Sequence, residues 1–284
     1  MDFFSPRFLA LTFGLACAAT WGAGDFSGGL AAKRSPVLQV MWLSQLVGGI
    51  SLVGLLAFSS EPLPAAASML YGGAAGLAGA AGILALYTAL SRGSMGVAAP
   101  LSAVLTALLP VLASAWTEGL PSALRMAGMV LGFVAIGLLT YTPGRGRMSA
   151  SHFWLCLGAG AGFGLFFIGM DAAGQGGLLW PLLAARIASL SLATPLCLLR
   201  RDLLHMPSLR QLALIIACGL LDTAGNAFFV LATQTGRLDI AAILGSLYPA
   251  STVLLASLLL RERLNKRQLT GVAVALGALA LISA

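Results

Sequence analysis

Along its length the chain alternates between apolar runs of about 20 residues and short polar connections. An α-helix rises about 1.5 Å per residue, so roughly 20 residues cross a hydrocarbon core about 30 Å thick. Ten runs approach or exceed that span: Phe8–Leu30, Val37–Phe58, Met69–Leu90, Met95–Trp116, Ala123–Tyr141, His152–Gly174, Leu178–Leu199, Arg210–Thr233, Ile240–Leu260 and Gln268–Ser283. Charges and prolines gather between them, as in Lys33-Arg34-Ser35-Pro36, Glu61-Pro62-Leu63-Pro64 and Pro143-Gly144-Arg145. No connection is long enough for a soluble domain. The pattern predicts an all-α integral membrane protein with ten transmembrane helices.

Composition agrees. Apolar types make up 59% of the 284 residues and charged types 9%, and mean hydropathy is +0.95. A soluble domain carries roughly 25% charged residues, so lipid must solvate most of this exterior. The 35 glycines suit close helix packing in a bilayer. Cys17, Cys156, Cys197 and Cys218 all lie in apolar runs without CxxC spacing. They are expected to be buried thiols, with neither disulfides nor a metal site. The first apolar run continues well past Cys17, so a retained helix is expected rather than a cleaved signal.

The chain repeats itself weakly. Gly76, Gly82, Gly93 and Gly128 match Gly219, Gly225, Gly236 and Gly271 at an offset of 143. Glu118 matches Glu262, and Asp25 matches Asp171, with slightly larger offsets. Two units follow, residues 1–142 and 143–284, each of five helices. An odd helix number puts the second unit in the membrane upside down. Inverted repeats of this kind build many secondary transporters, with the substrate site where the halves meet.

Three features carry a family resemblance over roughly residues 8–284. The first run contains Ala19-Thr20-Trp21-Gly22-Ala23-Gly24-Asp25-Phe26. The fourth helix of each half follows a small-residue turn, Gly96-Val97-Ala98-Ala99-Pro100 and Asp239-Ile240-Ala241-Ala242-Ile243, and ends at a glutamate, Glu118 or Glu262. A glycine-containing last helix follows, at Gly128 and Gly271. In these features the chain resembles EamA-type members of the drug/metabolite transporter superfamily. The resemblance implies ten helices in two inverted five-helix repeats around a central cavity, no organic cofactor and no ATP. It implies export of amino acids or related metabolites, or exchange of other small solutes.

Net charge is +7, yet the basic residues sit in short connections and read as topology signals, not as a nucleic-acid face. Connections after the odd-numbered helices hold Lys33, Arg34, Arg92, Arg145, Arg147, Arg200, Arg201, Arg210, Arg261, Arg263, Lys266 and Arg267. The other face has only Arg7, Arg125 and Arg237. Positive charge prefers the cytoplasm, which places both termini outside a plasma or inner membrane. Relatives are thought to have both termini inside, so the count departs from the family picture.

Ionisable groups deep in a membrane are costly and face a cavity or a partner. Arg186 is about eight residues into the seventh helix, roughly 12 Å deep. Asp222, on the antiparallel eighth helix, falls at a similar depth. One reading is a permanent ion pair joining two helices. The other is a substrate-carboxylate site on Arg186, with Asp222 as its resting partner or a proton site. Asn226 shares a helical face with Asp222. Asn226 and Gln45 either line the site or bond between helices. Trp21, Trp42, Tyr87 and Tyr248 either stack on a ligand or pack. Pro100, Pro110, Pro195 and Pro249 interrupt helices, and Pro100 and Pro249 are gating candidates. Asp25 and Asp171 either gate opposite mouths or are wetted interfacial charges.

An enzyme is disfavoured. There are no aspartate clusters for a Mg²⁺-diphosphate, and His152 and His205 lie at helix boundaries. A channel or structural bundle is the other class. Within transport, export of amino acids or related metabolites leads, and import or exchange of a sugar or nucleoside derivative is the alternative. The expected partners are a small-molecule substrate and the bilayer. A ten-helix chain can enclose its own pathway, so a monomer suffices and a dimer is compatible.

Overall fold

The computed structural model describes residues 5–92, 95–140, 150–201, 206–260 and 266–283. Every regular element among them is an α-helix: α1 (Pro6–Ala32), α2 (Val37–Phe58), α3 (Ala66–Arg92), α4 (Met95–Thr117), α5 (Ala123–Thr140), α6 (Ala150–Gly174), α7 (Leu179–Arg200), α8 (Leu209–Thr235), α9 (Leu238–Gly245), α10 (Tyr248–Leu260) and α11 (Lys266–Ser283). Helix starts follow local chemistry. The Ser5 hydroxyl accepts from the Phe8 amide at 3.3 Å, with Pro6 opening α1. Ser208 and Gln211 form a reciprocal capping box on α8.

Among the described residues five helices, α2, α7, α8 and most of α3 and α6, are long and apolar enough to cross a membrane. Large apolar side chains line the outside. Phe58 is 95% exposed and Trp116 91%, as expected of a surface solvated by lipid.

One element departs from the expected pattern. The run Ile240–Leu260 is not one helix but two, α9 and α10, with a turn at Ser246 and Leu247. Pro249 has no N–H to give the Gly245 carbonyl, so the regular ladder lapses one turn before it. The Ser246 amide still reaches Ala242 at 2.9 Å, and Leu247 falls back on Leu244 at 3.1 Å. The other three prolines do not interrupt their helices, contrary to expectation: α4 runs through Pro100 and Pro110, and α7 through Pro195. Membrane helices tolerate such residues where neighbouring groups take up the freed carbonyls.

The core lies between the halves of the chain. α1 packs on α8 and α3 on α6; α2 meets α7, and α5 meets α11. Several crossings are backbone-close, among them those of α6 with α3 at Gly162 and with α4 at Gly160, and two bear on the repeat. A Cβ on Gly76 would strike the Ala185 backbone, and one on Gly219 would strike the Ser44 carbonyl. These glycines are equivalent at the 143-residue offset. Near the middle, Trp21, Phe167 and Phe229 form a stack, with ring centroids 4.4 Å apart for Phe167 and Phe229 and 5.3 Å for Trp21 and Phe167.

Candidate functional site

Arg186 on α7 is buried and makes three side-chain contacts. Its Nη2 lies 2.6 Å from Asp222 Oδ2 on α8. Its Nη1 donates to Gln45 Oε1 on α2 at 2.5 Å, and its Nη2 donates to Thr223 Oγ1 at 3.0 Å. Thr223 passes its own hydrogen to the Gly219 carbonyl at 2.7 Å. The site thus joins one helix from the first half to two from the second. The ends differ in exposure: the Arg186 side chain is 6% exposed, that of Asp222 31%.

Space for the guanidinium comes from Gly48, one turn after Gln45 on the same face of α2. A Cβ there would lie 3.1 Å from Arg186 Nε and 3.3 Å from its Cζ. Asn226, one turn beyond Asp222, accepts from Trp21 Nε1 at 3.0 Å. Asp25 is exposed and close enough to Asp222 for their charges to interact. Tyr248, at the start of α10, also feels the Asp25 charge. Beyond Thr223 the seam between α2 and α8 opens into an apolar groove of about 480 Å³, bounded by Leu52, Leu55, Ala224 and Leu179.

A second polar cluster joins the end of α4 to the start of α9. Arg237 donates to both Asp239 carboxylate oxygens, at 2.9 to 3.2 Å, and to the Gly119 carbonyl at 2.8 Å. Its Nε lies 3.8 Å from Glu118 Oε2. Ser114 donates to Glu118 Oε1 at 2.8 Å. Asp239 is fully buried, and one of its oxygens also accepts from the Ile240 amide at 2.8 Å. The hydrogen bonds to Asp239 raise the Arg237 pKa, so this cation persists wherever the fold does. Asp171 interacts with Thr233 and feels the Glu118 charge, which puts it on the same side of the molecule.

The EamA-like transporter family model matches the chain twice, over residues 8–141 and 151–284. The chain belongs to the EamA-like transporter family. Members of this family are membrane transporters rather than enzymes. A solved crystal structure shares the fold with this EamA-like chain at a TM-score of 0.78 and 18% identity, over 96% of this chain and 97% of that one. No curated protein matches the sequence.

Other expected site residues of this EamA-like transporter are placed elsewhere. Trp42 donates to Thr194 Oγ1 at 2.8 Å and packs beside Met41, Ala80 and Ala193, tying α2 to α7. Trp21 lies within the aromatic stack. The side chains of Tyr87, Pro100 and Pro249 lie outside the described residues, as does Glu262.

Several participants were not anticipated. Gly48 had a signal in its spacing from Gln45. Thr223 adjoins Asp222 in sequence but carries no signal of its own. Arg237, Asp239 and Ser114 had none, because their meeting depends on how the end of α4 and the start of α9 pack.

Proposed function

We propose that the protein is a secondary transporter that moves small metabolites by alternating access. Its two halves, residues 1–142 and 143–284, act as inverted five-span repeats around a central path, with the broken pair α9 and α10 as the fourth span of the second half. The observation that carries this reading is the Arg186 site. A buried guanidinium, held by Gln45 from one half and Asp222 and Thr223 from the other, gives the boundary between halves a cation of planar, carboxylate-matching shape. Asp222 is the resting partner. A substrate carboxylate takes its place on Arg186, and the released Asp222, with Asp25 nearby, is left to meet a substrate ammonium. That chemistry suits an amino acid or related zwitterion; export is the leading reading, and import or exchange of another small solute the alternative.

The bilayer is a cell membrane, with both termini outside by the charge count, and a single chain suffices for the path. The test is counterflow of labelled amino acids into proteoliposomes by the wild type and by Arg186→Gln, with unfolding temperature as a folding control. Saturable exchange that Arg186→Gln abolishes, with folding kept, supports the reading. Flux that never saturates would indicate a channel, and unchanged exchange in the variant would remove Arg186 from the site.

A further inference from the structure

Arg7, Arg125 and Arg237 are the basic residues of the charge-poor face. They are far apart in the chain, yet all three line one pocket of about 160 Å³. Arg7 opens α1, Arg125 opens α5, and Arg237 directly precedes α9. Three of the sixteen basic residues therefore meet where three helices enter the membrane. Such convergence is unexpected if they are residual topology signals, because a sparse set of positive charges on one face should spread by mutual repulsion.

The rest of the lining is informative. Ala10 and Leu11, one turn into α1 from Arg7, and Ile240, one turn into α9 from Arg237, give the pocket an apolar floor beside Thr235 and Gly236. Glu118 and Asp239 engage Arg237. Arg125 forms no ion pair among the described residues. The pocket is thus cationic at its rim and apolar beneath, at the level where lipid headgroups lie.

We propose that this pocket binds the phosphate of an anionic phospholipid, with Arg7 and Arg125 contacting the headgroup beside Arg237. Guanidinium groups match phosphate oxygens in pairs, and basic pockets between membrane helices suit anionic headgroups. A free phosphate ion shares the rim chemistry but gains nothing from the apolar floor, which favours the lipid.

The experiment is native mass spectrometry of detergent-purified protein titrated with phosphatidylglycerol and phosphatidylcholine. A basic residue near the surface is worth roughly a five-fold preference for anionic lipid. The wild type should retain phosphatidylglycerol preferentially. R7Q/R125Q should lose about 25-fold of that preference, and R125Q alone about five-fold, which serves if the double variant does not fold. R200Q/R201Q, on the opposite face, should keep it. An unchanged preference in R125Q, an equal loss in R200Q/R201Q, or binding of inorganic phosphate without lipid preference would each overturn the assignment.

Discussion

Arg186 and Asp222 meet at 2.6 Å across α7 and α8, two consecutive helices that otherwise scarcely pack on each other. The ion pair and its Gln45 and Thr223 contacts tie α7 to α8 and α2 where α7 and α8 share little other packing. The unequal exposure of the partners sets an order of effects. Asp222→Asn strips the countercharge from a guanidinium sealed in protein, at a cost of about 3–5 kcal/mol. Arg186→Gln leaves a carboxylate that solvent already reaches, and should cost about half as much. Denaturant unfolding in detergent checks this; the reverse order would show that Asp222 is the more tightly enclosed partner in solution.

Gly48→Ala introduces one methyl group against Thr223 Oγ1 and the Arg186 guanidinium. Overpacking of this kind costs about 1–3 kcal/mol. The displaced guanidinium loses its geometry toward Gln45, so exchange should fall at least ten-fold, about 1.4 kcal/mol in the binding step. Gly49→Ala, whose added atom meets only Arg186 Cβ at 3.9 Å, should be close to neutral in both assays.

Glu61 caps a helix it does not belong to. Its carboxylate accepts from the Leu178, Leu179 and Trp180 amides at 3.0 to 3.3 Å, while Trp180 Nε1 donates to its carbonyl at 3.2 Å. An anion at a helix N-terminus meets unpaired amides and the positive end of the dipole. Gly177, at φ +140°, adopts a backbone disfavoured for other residues and leaves room for Glu61. Glu61→Gln should lower stability by about 1.5–3 kcal/mol, the worth of a charge-assisted hydrogen bond. Gly177→Ala should lower it too, and the pair of changes should be less than additive. Strict additivity would separate the glycine from the cap.

The Arg237 cluster gives a graded series. Arg237→Gln leaves Asp239 buried without a countercharge, at about 3–5 kcal/mol. Glu118→Gln removes a partner that is about a third exposed and 3.8 Å away, at about 0–1 kcal/mol. Arg237→Gln should also raise maleimide labelling of a Ser114→Cys probe above the native-cysteine background. Equal labelling with and without Arg237 would mean that the cluster does not close this end of the molecule.

Two oppositely inserted halves require reporters at residue 1 and in the 141–149 connection to lie on opposite sides of the membrane. Protease protection of tags in sealed vesicles reads this directly, and protection of both together would end the inverted arrangement.

Much of the scaffold could be read from residue type alone. Val37–Phe58 is a helix with the bounds the apolar run predicts, because Pro36 and Ser59 stop it on either side. The Arg186–Asp222 meeting followed from counting residues inward along two antiparallel helices. The break at Ser246 was signalled only as one proline among four. The three others sit inside continuous helices, so a proline alone does not say whether its neighbours absorb the loss. The Arg237 cluster was invisible because Ser114 in the last turn of α4, Glu118 just after it and Arg237 before α9 are brought together only by the packing of entire helices.

Gly76 and Gly219 leave no side chain between the backbones they touch. At those two crossings the helices have nothing left to compress, so the only freedom there is to turn. Motion of one half against the other would swivel about these bare points as on a pair of pins, and a single methyl at either would wedge the mechanism at its axle rather than at its doors.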